Sequence, residues 1–192
     1  MLKSLYDRTM ALADHPQAMW VLALVAFLES SVFPIPPDLL MIPMILARPS
    51  RAWAIALVAL VASVLGGLLG YAIGAFFYES IGAPILQAMG KAEAMEAFNT
   101  RFNDFGFWAV LTAGVTPFPY KVITIMSGWT GMPLTTFVAT SILARALRFF
   151  LVAALLWKFG APVRDFIEKR LGLVLTVFMA LLIGGFLLVR YL

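Results

Sequence analysis

Between Ala18 and Ala47 the chain is apolar enough to enter a membrane but cannot cross it as one regular helix. The run is interrupted by Glu29-Ser-Ser-Val-Phe-Pro-Ile-Pro-Pro-Asp38, in which Pro34, Pro36 and Pro37 remove backbone donors and clash with the preceding turn. Each half, at about 1.5 Å per residue, reaches only to mid-membrane. Two half-helices joined by an irregular tip form a re-entrant hairpin, which a bilayer tolerates only where the tip is buried in protein or lines a wet cavity. A kinked full span is the alternative.

A second segment repeats the pattern. Val32-Phe-Pro34-Ile-Pro36-Pro-Asp38 aligns without gaps to Val115-Thr-Pro117-Phe-Pro119-Tyr-Lys121, with an acid at the end of one copy and a base at the end of the other. Each copy is followed by a plain apolar block, Ala52 to Phe77 and Leu134 to Trp157, and a last block runs from Leu171 to Tyr191. A spanning helix needs about 20 such residues. The order, broken segment then straight span, occurring twice, points to an internal duplication. If each broken block is re-entrant, one repeat crosses the membrane once and the second is inverted, an arrangement common in secondary transporters.

The solvent implied is lipid: hydrophobic residues make up 62%, charged residues 12%, and the mean hydropathy is +0.96, whereas a soluble domain is about a quarter charged. Cysteine is absent, which excludes disulfides, thiolate metal sites and cysteine nucleophiles. The single histidine, His15, sits near the N-terminal membrane edge and cannot build a metal cluster. No cofactor is implied. No Gly-rich phosphate loop, zinc-protease histidine pair or nucleophile elbow occurs, and Ser30, Ser31 and Ser127 lack a partner base, so the reading is not an enzyme. Basic residues are scattered along membrane-flanking ends rather than gathered into a stripe, which argues for orientation in a bilayer and against nucleic acid. Lys3, Arg8, Arg48, Arg51, Lys158, Arg164, Lys169 and Arg170 fall on one side, eight in all, against three on the other, Lys91, Arg101 and Arg190. The excess puts the N-terminus in the cytoplasm. The same eight-to-three bias results if the broken blocks cross fully.

The expected architecture is an all-α integral membrane protein: two inverted repeats, each a re-entrant helical hairpin plus a transmembrane helix, with an additional C-terminal transmembrane helix. Residues 1–17 read as an interfacial segment without a cleavable signal, 18–79 as the first repeat, 80–104 as a surface linker, 105–157 as the second repeat and 171–191 as the last span. The whole is one membrane domain. Five ionisable residues fall inside apolar blocks: Glu29, Asp38, Lys121, Arg145 and Arg148. Such residues are expensive in lipid and mark transport paths. Arg145 and Arg148 are one turn apart and share a face, which must look inward. Two acids against three bases leave the interior at +1, suited to an anionic head group, and protonation of Glu29 or Asp38 would couple binding to protons. The alternative is that the five neutralise one another and pin the tips together. Gly66, Gly70 and Gly74 stand four apart and form a strip for close helix approach; Gly128 and Gly131, flanking Trp129, read as a turn.

Glu29-(x)4-Pro-x-Pro-Pro-Asp38, then Gly66-Gly-x-x-Gly-Tyr71, then Thr116-Pro-Phe-Pro-Tyr-Lys121 and Gly128, resemble the DedA family of bacterial inner-membrane proteins, the group with the VTT domain, and most closely its YqaA-like branch. The resemblance covers about Met19 to Trp157. It implies inverted re-entrant hairpins, a role in membrane homeostasis dependent on the proton motive force, and for some members movement of undecaprenyl phosphate or phospholipid between leaflets. The family's functional acids correspond to Glu29 and Asp38 and its basic residue to Lys121. This chain has Val115 where the family pattern places an arginine, and lysine instead of arginine at Lys121; the two side chains are not interchangeable at a phosphate. The function expected is therefore that of a DedA-like flippase or scramblase for an anionic lipid, with protons and membrane lipids as partners and homo-oligomerisation left open. The alternatives are a proton-coupled antiporter of a small ion or osmolyte, or a structural membrane protein.

Overall fold

The computed structural model describes residues 17–33, 35–116 and 118–189, and for residues 161 and 163–189 the backbone alone. Pro34, Pro117, His15, the interfacial segment up to residue 16 and the end of the last block at Tyr191 lie outside the described residues. Among those described, every regular element is helical. We number them α1 (Ala18–Ser31), α2 (Asp38–Ala47), α3 (Ala52–Phe77), α4 (Ala83–Ala88), α5 (Ala92–Asp104), α6 (Gly106–Val115), α7 (Tyr120–Trp129) and α8 (Leu134–Val189).

The prolines act as their chemistry requires. α1 stops at Ser31, with the Val32 amide closing the last turn onto Leu28 O, and α2 restarts directly after Pro36-Pro37. Thr116, ahead of Pro117, is extended at φ −82° and ψ 167°, and α7 begins directly after Pro119. The four short helices are 14, 10, 10 and 10 residues long, about 15–21 Å each at 1.5 Å per residue, so none reaches across a hydrocarbon core of about 30 Å. Among the described residues two helices are long and apolar enough to do so, the stretch Pro49–Ala88 built on α3 and the Leu134–Gly160 part of α8.

Packing gives the directions. Ala18 and Leu22 at the start of α1, Met44 to Leu46 at the end of α2, and Ala52 to Ala59 at the start of α3 share one buried cluster with Phe149, Ala153 and Leu156 of α8. The first broken segment therefore doubles back, its two ends meeting beside the start of α3. At the opposite end of α3 the second segment does the same: Gly106 faces Met132, and the Asn103 side-chain amide donates to Thr130 O at 2.9 Å. Trp129 lies against Gly74 and Gly82. The two broken segments open at opposite ends of α3, and their tips meet near its middle. α8 runs antiparallel to α3, from Phe137 beside Gly67 down to Gly160 beside Leu46. Rows of exposed side chains at fourfold spacing, Leu57, Val61, Leu65 and Leu69 on α3 and Leu143, Leu147, Leu151 and Leu155 on α8, give the outside the character of a lipid-facing surface.

Two boundaries differ from the sequence reading. The blocks Leu134 to Trp157 and Leu171 to Tyr191 were expected as separate helices, yet α8 is continuous over 56 residues with Pro162 inside it. The joining stretch, Lys158 to Arg170, contains good helix formers on both sides of Gly160 and Pro162; a helix tolerates a glycine, and the proline removes one hydrogen-bond donor. At about 84 Å, α8 is far longer than a bilayer is thick. The linker, expected from residue 80, begins as an extension of α3: a π-turn over Tyr78–Gly82 leads into α4, and the chain turns at Gly90, whose φ is +66°.

Candidate functional site at the meeting of two broken helices

The glycine row lets the tips meet. A side chain at Gly66 would overlap Phe27 O of α1, one at Gly74 would overlap Ile125 O of α7, and one at Gly70 would strike Thr124 and approach Ser30 O. The same face of α3 thus receives the end of α1 and the body of α7. Gly128 is part of this contact too: it sits inside α7 against Tyr71 O, so it is a close-approach residue and not the turn expected from sequence. Gly131, with φ +65°, does turn the chain.

Four of the five charges that fall inside apolar blocks join in pairs. Arg145 donates to Glu29 Oε2 at 2.6 Å, with the arginine 2% and the acid 12% exposed. One turn further along α8, Arg148 pairs with Asp38 Oδ2 and donates to Thr116 O at 2.5 Å. Each arginine also touches the other broken segment. Arg148 spans from Asp38 of the first to Thr116 of the second, while the Arg145 guanidinium lies 3.9 Å from the Tyr120 ring centroid, in cation–π geometry. The fifth charge, Lys121, is half-buried and donates to Val32 O at 3.2 Å, across the tips. Asp38 and Lys121, which end the duplicated motif, are not paired with each other; Asp38 takes Arg148.

A polar network that sequence did not single out surrounds these pairs. Ser30, set aside for want of a base, links Glu29 Oε2 at 3.2 Å, Ser63 of α3 at 2.7 Å and Arg145 at 3.3 Å. Thr124 donates to Ser30 O at 2.9 Å, and the Tyr120 hydroxyl donates to Ser141 at 2.5 Å. Ser31 and Ser127 bond only to carbonyls of their own helices. One signal was available: Ser63 and Ser141 are polar interruptions of apolar spans, and a buried hydroxyl needs a partner. Two atoms here stay unsatisfied, Asp38 Oδ1 and Arg145 Nε. No group of three or more potential metal ligands occurs among the described residues.

A buried charge without a partner is very costly, and a pair that loses one member is destabilised by about 3–5 kcal/mol. Here each acid faces a guanidinium that a second anion would also seek, at a junction with one cation in excess. The VTT domain model matches residues 35–158, which take in both tips except Glu29 to Pro34, all of α3, and both arginines. The chain belongs to the VTT-domain (DedA) family. It is 40% identical over 169 residues to an uncharacterized protein of Haemophilus influenzae, covering 86% of this chain and 88% of that one. An uncharacterized protein of Histophilus somni is 39% identical over the same share of each. No solved structure matches. Family membership and the apolar helices together make this VTT-domain protein a membrane protein.

Proposed function

We propose that this VTT-domain protein is a non-enzymatic transporter that moves an anionic lipid between leaflets of the bacterial inner membrane, with its two broken segments re-entrant from opposite sides and its N-terminus in the cytoplasm. The observation that carries the reading is the pair of acid–arginine contacts, Glu29 with Arg145 and Asp38 with Arg148, at the point where two broken helices meet. Uptake of a proton by either acid removes its charge and releases a guanidinium. That guanidinium then takes the phosphate of a lipid such as undecaprenyl phosphate or a phospholipid by bidentate hydrogen bonding. Loss of the proton restores the pair and expels the anion, so binding and protonation exclude one another's opposites. Lys121, from the second tip, adds the remaining positive charge. Arg145 and Arg148 supply from α8 the guanidinium chemistry that Val115 and Lys121 leave out of the tip itself, consistent with a YqaA-like variant of the family pattern.

The test is a proteoliposome assay with a labelled anionic lipid under an imposed pH gradient. The parent moves lipid, whereas Glu29→Gln, Asp38→Asn and Lys121→Met, each folded, do not. Ion flux without lipid movement replaces this reading by an antiporter, and neither by a structural protein. The topology is tested separately in the cysteine-free background with impermeant thiol reagents. Cysteines at Gln17 and Ser50 are expected to label from one side and those at Arg101 and Gly131 from the other. Gln17 and Ser50 labelling from opposite sides would make the first segment a full span.

A further inference from the structure

At the end of α3 away from Ala52, the π-turn, α5 and the end of α7 line an open cavity of about 310 Å³, within the range of about 300–1,000 Å³ for small-ligand sites. Its walls are aromatic and acceptor-rich: Tyr71, Tyr78 and Trp129, with Glu79, Asn99 and Thr130. Trp129 and Tyr78 meet edge to face at 5.3 Å and 69°. Gly82, at the end of the π-turn, makes room for this, since a side chain there would collide with the Trp129 ring. Such turns are frequent at functional sites.

The polar groups divide in an informative way. The Tyr71 hydroxyl is committed to Met132 O at 2.6 Å, and the Thr130 hydroxyl to Asn103 at 3.1 Å and Met126 O at 3.0 Å. Three side-chain groups remain: Glu79, exposed and in no ion pair with a described residue, Asn99 Oδ1, buried without a hydrogen-bond partner, and the Tyr78 hydroxyl, which makes no hydrogen bond with a described residue. Aromatic faces with a carboxylate and an idle amide oxygen recognise positive charge, in the manner of aromatic cages for organic ammonium groups. We propose that this cavity is a binding site for an organic ammonium group, distinct from the charged junction of the tips and opposite to it in sign preference.

The same chemistry is offered by a soluble amine and by the amine of a zwitterionic lipid head group, and the experiment separates them. The full-length protein in phosphatidylglycerol nanodiscs is titrated with choline and with its neutral isostere 3,3-dimethylbutan-1-ol, followed by calorimetry. Choline is expected to bind about tenfold or more tightly than the isostere, and Glu79→Gln to weaken choline by about tenfold. Tyr78→Leu is expected to weaken it also; Glu79 is exposed, so its variant keeps the test open if Tyr78→Leu fails to fold. Equal affinity for choline and the isostere, no choline binding, or no loss in Glu79→Gln overturns the site. Phosphatidylethanolamine added to the nanodisc competes with choline if the natural ligand is a lipid head group, and leaves choline binding unchanged if it is a soluble amine.

Discussion

The two broken segments carry the same Val-x-Pro-x-Pro motif and rest on the same face of α3, yet they are held by different physics. The first ends its arms in acids: Glu29 closes on Arg145 and Asp38 on Arg148, so its geometry depends on charge neutralised from α8. The second has no acid. It offers α8 a carbonyl at Thr116 and an aromatic face at Tyr120, and reaches back to the first through Lys121 and Thr124. Two segments that share a motif can therefore be held one through acids and the other through a carbonyl, a ring and a lysine, so long as a third element, here one turn of α8, serves both. A symmetric pair of acidic tips would have left the junction with negative charge in excess.

The largest expected effects come from what the halves share. Gly66→Leu drives a side chain into Phe27 O of the first segment, and Gly74→Leu into Ile125 O of the second; in both, the obstacle is backbone and cannot swing away. Overpacking costs about 1–3 kcal/mol where side chains can adjust, so each variant is expected to exceed that and to lose monodisperse protein in detergent gel filtration. Gly70→Leu, which meets the Thr124 side chain first, is expected to be less severe. A normal yield for Gly74→Leu alone would mean that α7 is not fastened to α3 as α1 is.

Next come the ion pairs, where the halves should separate. Arg145→Met leaves Glu29 without its cation and Arg148→Met leaves Asp38 so, each with an expected cost of about 3–5 kcal/mol, while Glu29→Gln combined with Arg145→Met is far milder. Thermal unfolding of the purified variants reads this directly. If the double variant is no more stable than Arg145→Met, the pair is not what holds the first segment.

Much of this was legible in the sequence, for reasons that also explain what was not. Proline fixes backbone geometry locally, so the breaks after Ser31 and Val115 could be read one residue at a time. Arginines one turn apart must share a face, so Arg145 and Arg148 could be placed together. Pairing is a property of three dimensions: the motif ends in Asp38 and Lys121 and invites joining them, whereas Asp38 takes Arg148 because α8 crosses the first tip there. The partners of Ser30, Ser63, Thr124 and Ser141 are hidden for the same cause: Ser63 and Ser141 stand out as polar interruptions of apolar spans, but which hydroxyl meets which group is set by packing. The continuity of α8 past Trp157 is not legible in hydropathy, because the charged stretch from Lys158 to Arg170 changes what surrounds the helix and not its backbone hydrogen bonding.

Lys121 sharpens the contrast at a smaller scale. It is half-buried and holds one carbonyl, Val32 O, so Lys121→Met is expected to cost about 1 kcal/mol of stability. Because Asp38 is neutralised by Arg148, adding Lys121→Met to Asp38→Asn is expected to restore neither abundance nor transport. Recovery in that double variant would reinstate an Asp38–Lys121 pair.

The smallest expected effect tests whether the second segment is fastened to the first by hydrogen bonding. Thr124 donates to Ser30 O across the tips and also to Lys121 O one turn back in its own helix, both at 2.9 Å. Ser31, its neighbour in the junction, bonds only to Phe27 O and Leu28 O of its own helix. Thr124→Val preserves shape and β-branching and removes the donor, leaving Ser30 O with a lost partner, at an expected cost of about 1 kcal/mol. Ser31→Ala removes a donor whose acceptors keep their helical hydrogen bonds, so it should be close to neutral. The difference between the two in thermal unfolding isolates the bond between segments from the general effect of deleting a buried hydroxyl. Equal effects would mean that Thr124 works mainly through Lys121 O, and that charge and the glycine face alone bring the segments together.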